Sequence, residues 1–285
     1  MTFNEFALAN EPAIRLAAFI GVFALMAAWE AVAPRRVRSL RRWVRWPHNL
    51  ALVVLNSIVV RLLFPLAAVG FAALAAARGW GIFNSFGLPF WLTFLLSILA
   101  LDLVIYLQHV MFHAVPALWR LHRVHHADLD FDVTTGARFH PVEIALSMLI
   151  KFAAIVLLGA PAVAVLLFEV FLNAAAMFNH SNVRIPLSVD RALRWLIVTP
   201  DMHRIHHSVV RRETDSNFGF NLTLWDRLLG TYRPDPIAGQ EAMVIGIPEF
   251  RDPAQCATLT GMLALPFRSE AGNIPVDLNP RHENR

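Results

Sequence analysis

Cysteine is almost absent from this chain of 285 residues. Cys256 stands alone, which rules out an intramolecular disulfide and a cysteine-ligated cluster built within one chain. Charge is sparse as well. Asp, Glu, Lys and Arg make up 16% of the residues against 56% hydrophobic, and mean hydropathy is +0.50, more apolar side chain than a soluble domain needs to fill one core. Residues 1–12 lack a basic n-region, with Glu5 and Glu11 in its place, and no A-x-A-like site leads into a soluble domain, so the first apolar run is expected to be retained. No Gly- and Ser-rich linker divides the chain. No G-x-G-x-x-G opens a helix after a strand to take a dinucleotide, and no H-E-x-x-H supplies the histidine pair and general base of a zinc hydrolase.

What the chain has instead is long apolar runs. Ala13–Ala33, Asn49–Ala77, Pro89–Leu107 and Ile144–Phe178 are each long enough, at roughly 20 residues per crossing, to span a bilayer. The last is too long for one crossing and is interrupted at Gly159–Pro161, so it reads as a helical hairpin or a broken pair. The pattern predicts an all-α fold: an integral-membrane helical bundle of about four spans or hairpin equivalents, with a cytosolic helical cap over Val183–Pro236. One domain is expected over residues 1–268, and the polar stretch 269–285 is expected to be a mobile tail.

Arginine sets the expected orientation. The loop Pro34–Trp46 is dense in it, whereas Arg78–Leu88 holds only Arg78, so the first loop should be cytoplasmic and the N-terminus outside. Counting spans from there brings every clustered histidine to the cytoplasmic face. The net charge of +4 and a pI near 10.1 do not point to nucleic acid, because the basic residues flank apolar runs or sit among histidines. A juxtamembrane stretch facing anionic lipid is the better reading.

Most of the twelve histidines fall into tight groups. His109 and His113 are spaced i, i+4. His122, His125 and His126, and again His203, His206 and His207, are spaced i, i+3, i+4, which puts each group on one helix face about a turn apart. His48 and His282 stand apart and carry no such signal. Packing eight titratable rings together without a cation would cost desolvation and, once protonated, repulsion. Metal coordination removes both costs. Eight imidazoles exceed one tetrahedral site, so two metals are implied, and imidazole suits zinc, copper, iron and nickel alike.

The three boxes in this order resemble those of the fatty acid hydroxylase/sterol desaturase superfamily of integral-membrane non-haem di-iron enzymes, in its bacterial form. Thr134–Glu143, Phe178–Pro186, Thr199–Ser208 and Thr214–Tyr232 are similar to its segments too, and the resemblance covers about residues 92–234. It implies two iron ions with O2 as co-substrate, held by the eight boxed histidines and by His180, which occupies the place of a ligand just before the last box. Some relatives have a further histidine four residues earlier, where this chain has Ala176. The resemblance also implies hydroxylation or desaturation of a C–H bond in a lipid such as a sterol, fatty acyl or ether lipid, in a bacterial inner membrane, and hydroxylation is the expectation. A non-redox membrane metal protein, a zinc hydrolase or metal carrier, is the alternative.

Further polar residues are read as supports. His140 matches a His-Pro pair of the sterol desaturase branch and is placed behind the ligands or beside the substrate. Asp102, inside an apolar run, needs a partner and is a candidate to orient a ligand histidine. Asp201, Asn217 and Asn221 join it as candidates, while Arg123 and Arg204 are expected to pair with carboxylates. No haem, flavin or iron–sulfur motif is evident, so the electron donor is expected to be a separate ferredoxin or cytochrome with its reductase, docking on Arg194, Arg204, Arg211 and Arg212.

Overall fold

The computed structural model describes residues 2–269. The expected tail, apart from Ser269, and His282 lie outside the described residues. In chain order the first eleven helices are α1 (Phe3–Ala9), α2 (Glu11–Val32), α3 (Arg42–Leu63), α4 (Ala67–Arg78), α5 (Ile82–Phe86), α6 (Phe90–Ala114), α7 (Pro116–His126), α8 (Pro141–Leu158), α9 (Ala162–Asn179), α10 (Leu187–Leu193) and α11 (Pro200–His206). Short turns and helices continue to residue 269. The described residues hold isolated β-bridges and no strand. The fold is an all-α membrane bundle, with five segments long and apolar enough to cross: α2, the stretch Arg42–Phe86, α6, α8 and α9.

Proline and glycine decide where these helices stop. Pro65 drives Phe64 out of the helical region (φ −130°, ψ 76°), so the run Asn49–Ala77 is two helices, α3 and α4, and not one. Val115, extended ahead of Pro116, ends α6 and lets α7 start at once from a proline at its first turn. Gly159 takes the left-handed conformation (φ 72°) at the end of α8, and Pro161 caps α9, which resolves the run Ile144–Phe178 into a hairpin. A Cβ on Gly81 would lie 2.1 Å from Gly159 N, so the α4–α5 turn rests its backbone directly on the α8–α9 turn.

That contact marks one end of the bundle, and the histidines lie at the other. There Arg35 N donates to Asn182 O and Arg184 N to Ala33 O, tying the loop after α2 to the loop after α9. α2 and α9 therefore run parallel. Between the two ends, Glu169 of α9 meets Lys151 of α8 and Arg15 of α2, so these charges inside apolar helices are mutually paired. The basic loop Pro34–Trp46 thus shares an end with the metal-binding candidates, as the charge pattern required.

The cap is larger than the sequence indicated. Ile247, Phe250, Cys256, Met262 and Leu265, beyond Pro236, are buried against Leu52 of α3 and Trp119 and Val124 of α7. Arg120 and Arg123 clamp this segment by donating to the carbonyls of Pro266, Leu265 and Arg268. Arg123 therefore serves backbone carbonyls and not the expected carboxylate.

Candidate metal centre

Helix α6 ends with His109 and His113 one turn apart, and the proline-enforced turn at Val115 folds α7 back so that its histidines face them. Thr199 caps α11 by accepting from Met202 N, and Pro200 begins the helix, which aims His203, His206 and His207 into the same space. His180 caps the end of α9. All nine rings are buried, none more than 2% exposed. They divide into two groups, His109, His113, His122, His126 and His206 in one and His125, His180, His203 and His207 in the other, with the nitrogens of each group within 4.8 Å of one another.

Hydrogen bonds fix which nitrogen faces inward. His109 Nδ1 lies 2.7 Å from Phe218 O and His206 Nδ1 lies 2.8 Å from Ser216 O. A carbonyl only accepts, so both Nδ1 atoms carry the proton and both Nε2 atoms carry a bare lone pair. Those two Nε2 atoms are 3.0 Å apart. His180 is held likewise by Ala176 O, and its Nε2 stands 3.1 Å from that of His125 and 3.0 Å from that of His203. Both nitrogens of buried His207 have no hydrogen-bond partner. Lone pairs turned on one another in a buried site are repulsive, and a cation between them reverses the sign.

The donor set therefore fits metal ions. Two nitrogens each about 2.1 Å from one ion lie about 3.0 Å apart at a right angle and about 3.4 Å apart at the tetrahedral angle. The observed 3.0–3.1 Å spacings match the right angle. Five imidazoles in one group also exceed a tetrahedral set.

The interior keeps these rings neutral. Burial pushes His122 and His180 down to about 3. Burial, and then charge repulsion from neighbouring rings, holds His125, His126, His203, His206 and His207 well below the ordinary 6.5. Aromatic rings wall the space: Phe139 stacks on His125 at 4.4 Å, Phe131 on His180 at 5.5 Å, and Trp119 lies 4.9 Å from His113.

Several supports were not singled out from sequence. Glu143, in the first turn of α8, places Oε1 2.6 Å from His122 Nδ1 and so orients that ring. Asp215 lies 3.6 Å from His113 Nδ1. Asp226 accepts from Phe218 N and Gly219 N, which fixes the segment whose carbonyl holds His109. Asp128, two residues after the second box, is fully buried and bound by Arg45 through two nitrogens, with Arg138 alongside. Burial alone would raise its pKa, but Arg45 and Arg138 bring it down to about 2. The signal available for Glu143 was its place in the quoted segment Thr134–Glu143, three residues after His140.

The supports expected from sequence have other duties. Asp102 accepts from Asn221 Nδ2 and Trp225 Nε1, so it anchors the loop that carries Phe218 and does not bond a histidine. Asn217, at φ 53°, ties that loop to Met202 O and to Arg233. Asp201 pairs with Arg204 and Arg35. His140 caps α8 by accepting from Val142 N and lies outside both histidine groups. Two of the four arginines expected to meet a partner are wrong for it: Arg204 is fully buried on Asp201, and Arg194 is buried on Asp190.

An all-α membrane bundle whose helix ends bring nine histidines into two adjoining groups defines an integral-membrane metal-site protein. Residues 94–231 match the family model of fatty acid hydroxylase. An ornithine lipid hydroxylase of Rhizobium tropici is 31% identical over 50% of this chain and 42% of its own length. The alkylglycerol monooxygenase of Homo sapiens is 29% identical over 59% and 36%, and the human cholesterol 25-hydroxylase 27% identical over 49% and 50%. These matches support placing residues 94–231 in the fatty acid hydroxylase/sterol desaturase superfamily. The chain spans half or less of the length of these curated relatives. No solved structure matches it.

Proposed function

We propose that the chain is an O2-dependent di-iron oxidoreductase that hydroxylates a C–H bond of a membrane lipid. The observation that carries the reading is the pair of buried histidine groups, five and four strong, whose Nε2 atoms approach one another at right-angle spacing. A tetrahedral zinc leaves the five-histidine group over-supplied, and Glu143 lies outside both groups with Oε1 on the Nδ1 of His122, the place of an orienting group. The two groups would hold two irons, which would supply the O2-dependent oxidation of an unactivated carbon. The chain's own part is to keep the rings neutral, to fix their tautomers through carbonyls and Glu143, and to exclude water with Phe131, Phe139 and Trp119.

Hydroxylation is preferred to desaturation because the relatives quoted are named hydroxylases and monooxygenases. The basic loop at the histidine end supports a cytoplasmic metal site. Electrons come from a separate ferredoxin or cytochrome. Its approach is supported by a pocket of about 70 Å³ that has His113 among its lining residues and Arg211 on its rim. With Arg194 and Arg204 buried, Arg211, 45% exposed in its side chain, and exposed Arg212 remain as the docking charges. The test is protein purified from iron-replete cells, assayed for iron and then for oxidised lipid under O2 with and without a ferredoxin and its reductase. Two irons per chain and turnover only with the donor are expected. Zinc occupancy, or sustained turnover on NAD(P)H alone, would overturn the reading.

A further inference from the structure

Beside the four-histidine group, at the same end of the bundle, lies a second feature that the oxidation chemistry does not use. Arg36, Arg38 and Arg251 line a pocket of about 220 Å³ formed between the α2–α3 loop, residues 129–131 and residues 242–245. Three guanidinium groups face one lining carboxylate, Asp130, and both its oxygens already accept, from Ser39 N at 2.9 Å and Leu40 N at 2.7 Å. Beyond the lining, Glu30 approaches Arg38 Nη1 at 3.7 Å, and Glu241 is engaged by Arg35. The Nη1 atoms of Arg36 and Arg38 are nonetheless buried with no hydrogen-bond acceptor. Three guanidinium groups around one already satisfied carboxylate leave the lining positive, and a phosphate or carboxylate is the group such a lining takes best. Burial, followed by repulsion from Arg204, already pushes the Arg36 guanidinium below its ordinary value.

The surroundings point to a lipid as the source of that anion. Val37, which also lines the pocket, is 97% exposed, with Val32 at 86% and Trp43 at 67% close by in sequence. Apolar side chains between arginines, left without a protein partner, belong in the headgroup layer of a bilayer. The pocket also shares a wall with the metal centre. Phe131 lines it, and the ring of Phe131 lies 5.5 Å from that of His180 and 5.1 Å from that of His207.

We infer that Arg36, Arg38 and Arg251 form a binding site for the phosphate or carboxylate of an anionic lipid headgroup, one aromatic ring away from the four-histidine group. It rests on the lipid-hydroxylase reading only in making that lipid the substrate class; the binding itself is independent of turnover. The experiment is native mass spectrometry of the purified full chain, titrated separately with phosphatidylglycerol, phosphatidylcholine and inorganic phosphate. Wild type should bind phosphatidylglycerol at least tenfold more tightly than phosphatidylcholine. Arg36→Gln and Arg251→Gln should each lose about tenfold of that preference. Arg36→Lys, which keeps the charge and guards against misfolding, should retain most of it. Arg191→Gln, an equal loss of charge on exposed α10, should change nothing. Equal loss in Arg191→Gln, or none in the pocket variants, would overturn the site. Phosphate binding as tightly as phosphatidylglycerol and displacing it would overturn the lipid assignment. Intact lipid binding with no oxidised product under any donor would instead count against the hydroxylase reading.

Discussion

His109 and His206, 97 residues apart in sequence, present their Nε2 atoms to each other at 3.0 Å after each has given its Nδ1 hydrogen to a backbone carbonyl. Neither ring can donate to the other. A cation between the two nitrogens would make the contact favourable, and the contact joins the first histidine box to the last.

Metal content should therefore track the two groups separately. Wild type is expected to hold two ions per chain. His206→Ala removes a ligand from the five-histidine group and His207→Ala one from the four-histidine group, and each should lower content toward one ion and cut turnover by at least a hundredfold. Elemental analysis of protein in detergent checks this. Full content in either variant would contradict the grouping.

Glu143→Gln tests orientation without removing a ligand. The amide keeps the volume, but its weaker acceptor holds His122 less firmly, so activity or metal affinity should fall by roughly 10- to 100-fold. Circular dichroism should be unchanged. Wild-type kinetics and metal affinity in this variant would reduce the 2.6 Å contact to packing.

Gly136→Ala tests a close approach. An added Cβ would stand 2.4 Å from Ala176 O and 3.1 Å from His180 Nδ1, and backbone at that distance has to move. The shift breaks the carbonyl bond that fixes the His180 tautomer. Metal should be lost from the four-histidine group first, readable as one ion remaining, while Gly21→Ala, which meets nothing within 4 Å, should leave both.

Acid should destabilise the metal-free protein in a defined window. His122 and His180 titrate near 3 in the folded state against 6.5 when free, so the unfolded chain binds more protons between these values. Stability is then fully present above about pH 6.5 and falls as the pH drops toward 3. Thermal melts of chelator-treated protein at pH 8, 7, 6 and 5 should show a steady fall below 6.5. A melting temperature independent of pH would show that the rings are not held neutral by burial.

Much of this was legible in the chain alone. Hydropathy and helix-breaking Gly159–Pro161 specified the membrane helices, because burial in lipid depends on composition and not on particular partners. The spacing of the histidines put them on helix faces, because 3.6 residues make a turn. What spacing could not say is how the rings divide. In the structure the i, i+4 pairs His109/His113, His122/His126 and His203/His207 each stay within one group, while the intervening His125 and His206 cross to the other. An i+4 neighbour is rotated about 40° one way around the helix and an i+3 neighbour about 60° the other, so each helix shows one ring to a different neighbour.

The supports were hidden for a similar reason. Glu143 reaches His122 across 21 residues, Asp226 fixes a loop bonded to His109, and Arg45 reaches Asp128 across 83. Arg194 and Arg204 look in sequence like surface charge, yet packing buries them on Asp190 and Asp201. A residue's type and its near neighbours fix what chemistry it can offer and which helix carries it. Only the crossing of the helices decides which distant group completes the bond, because that distance is set by packing and is written at no single position.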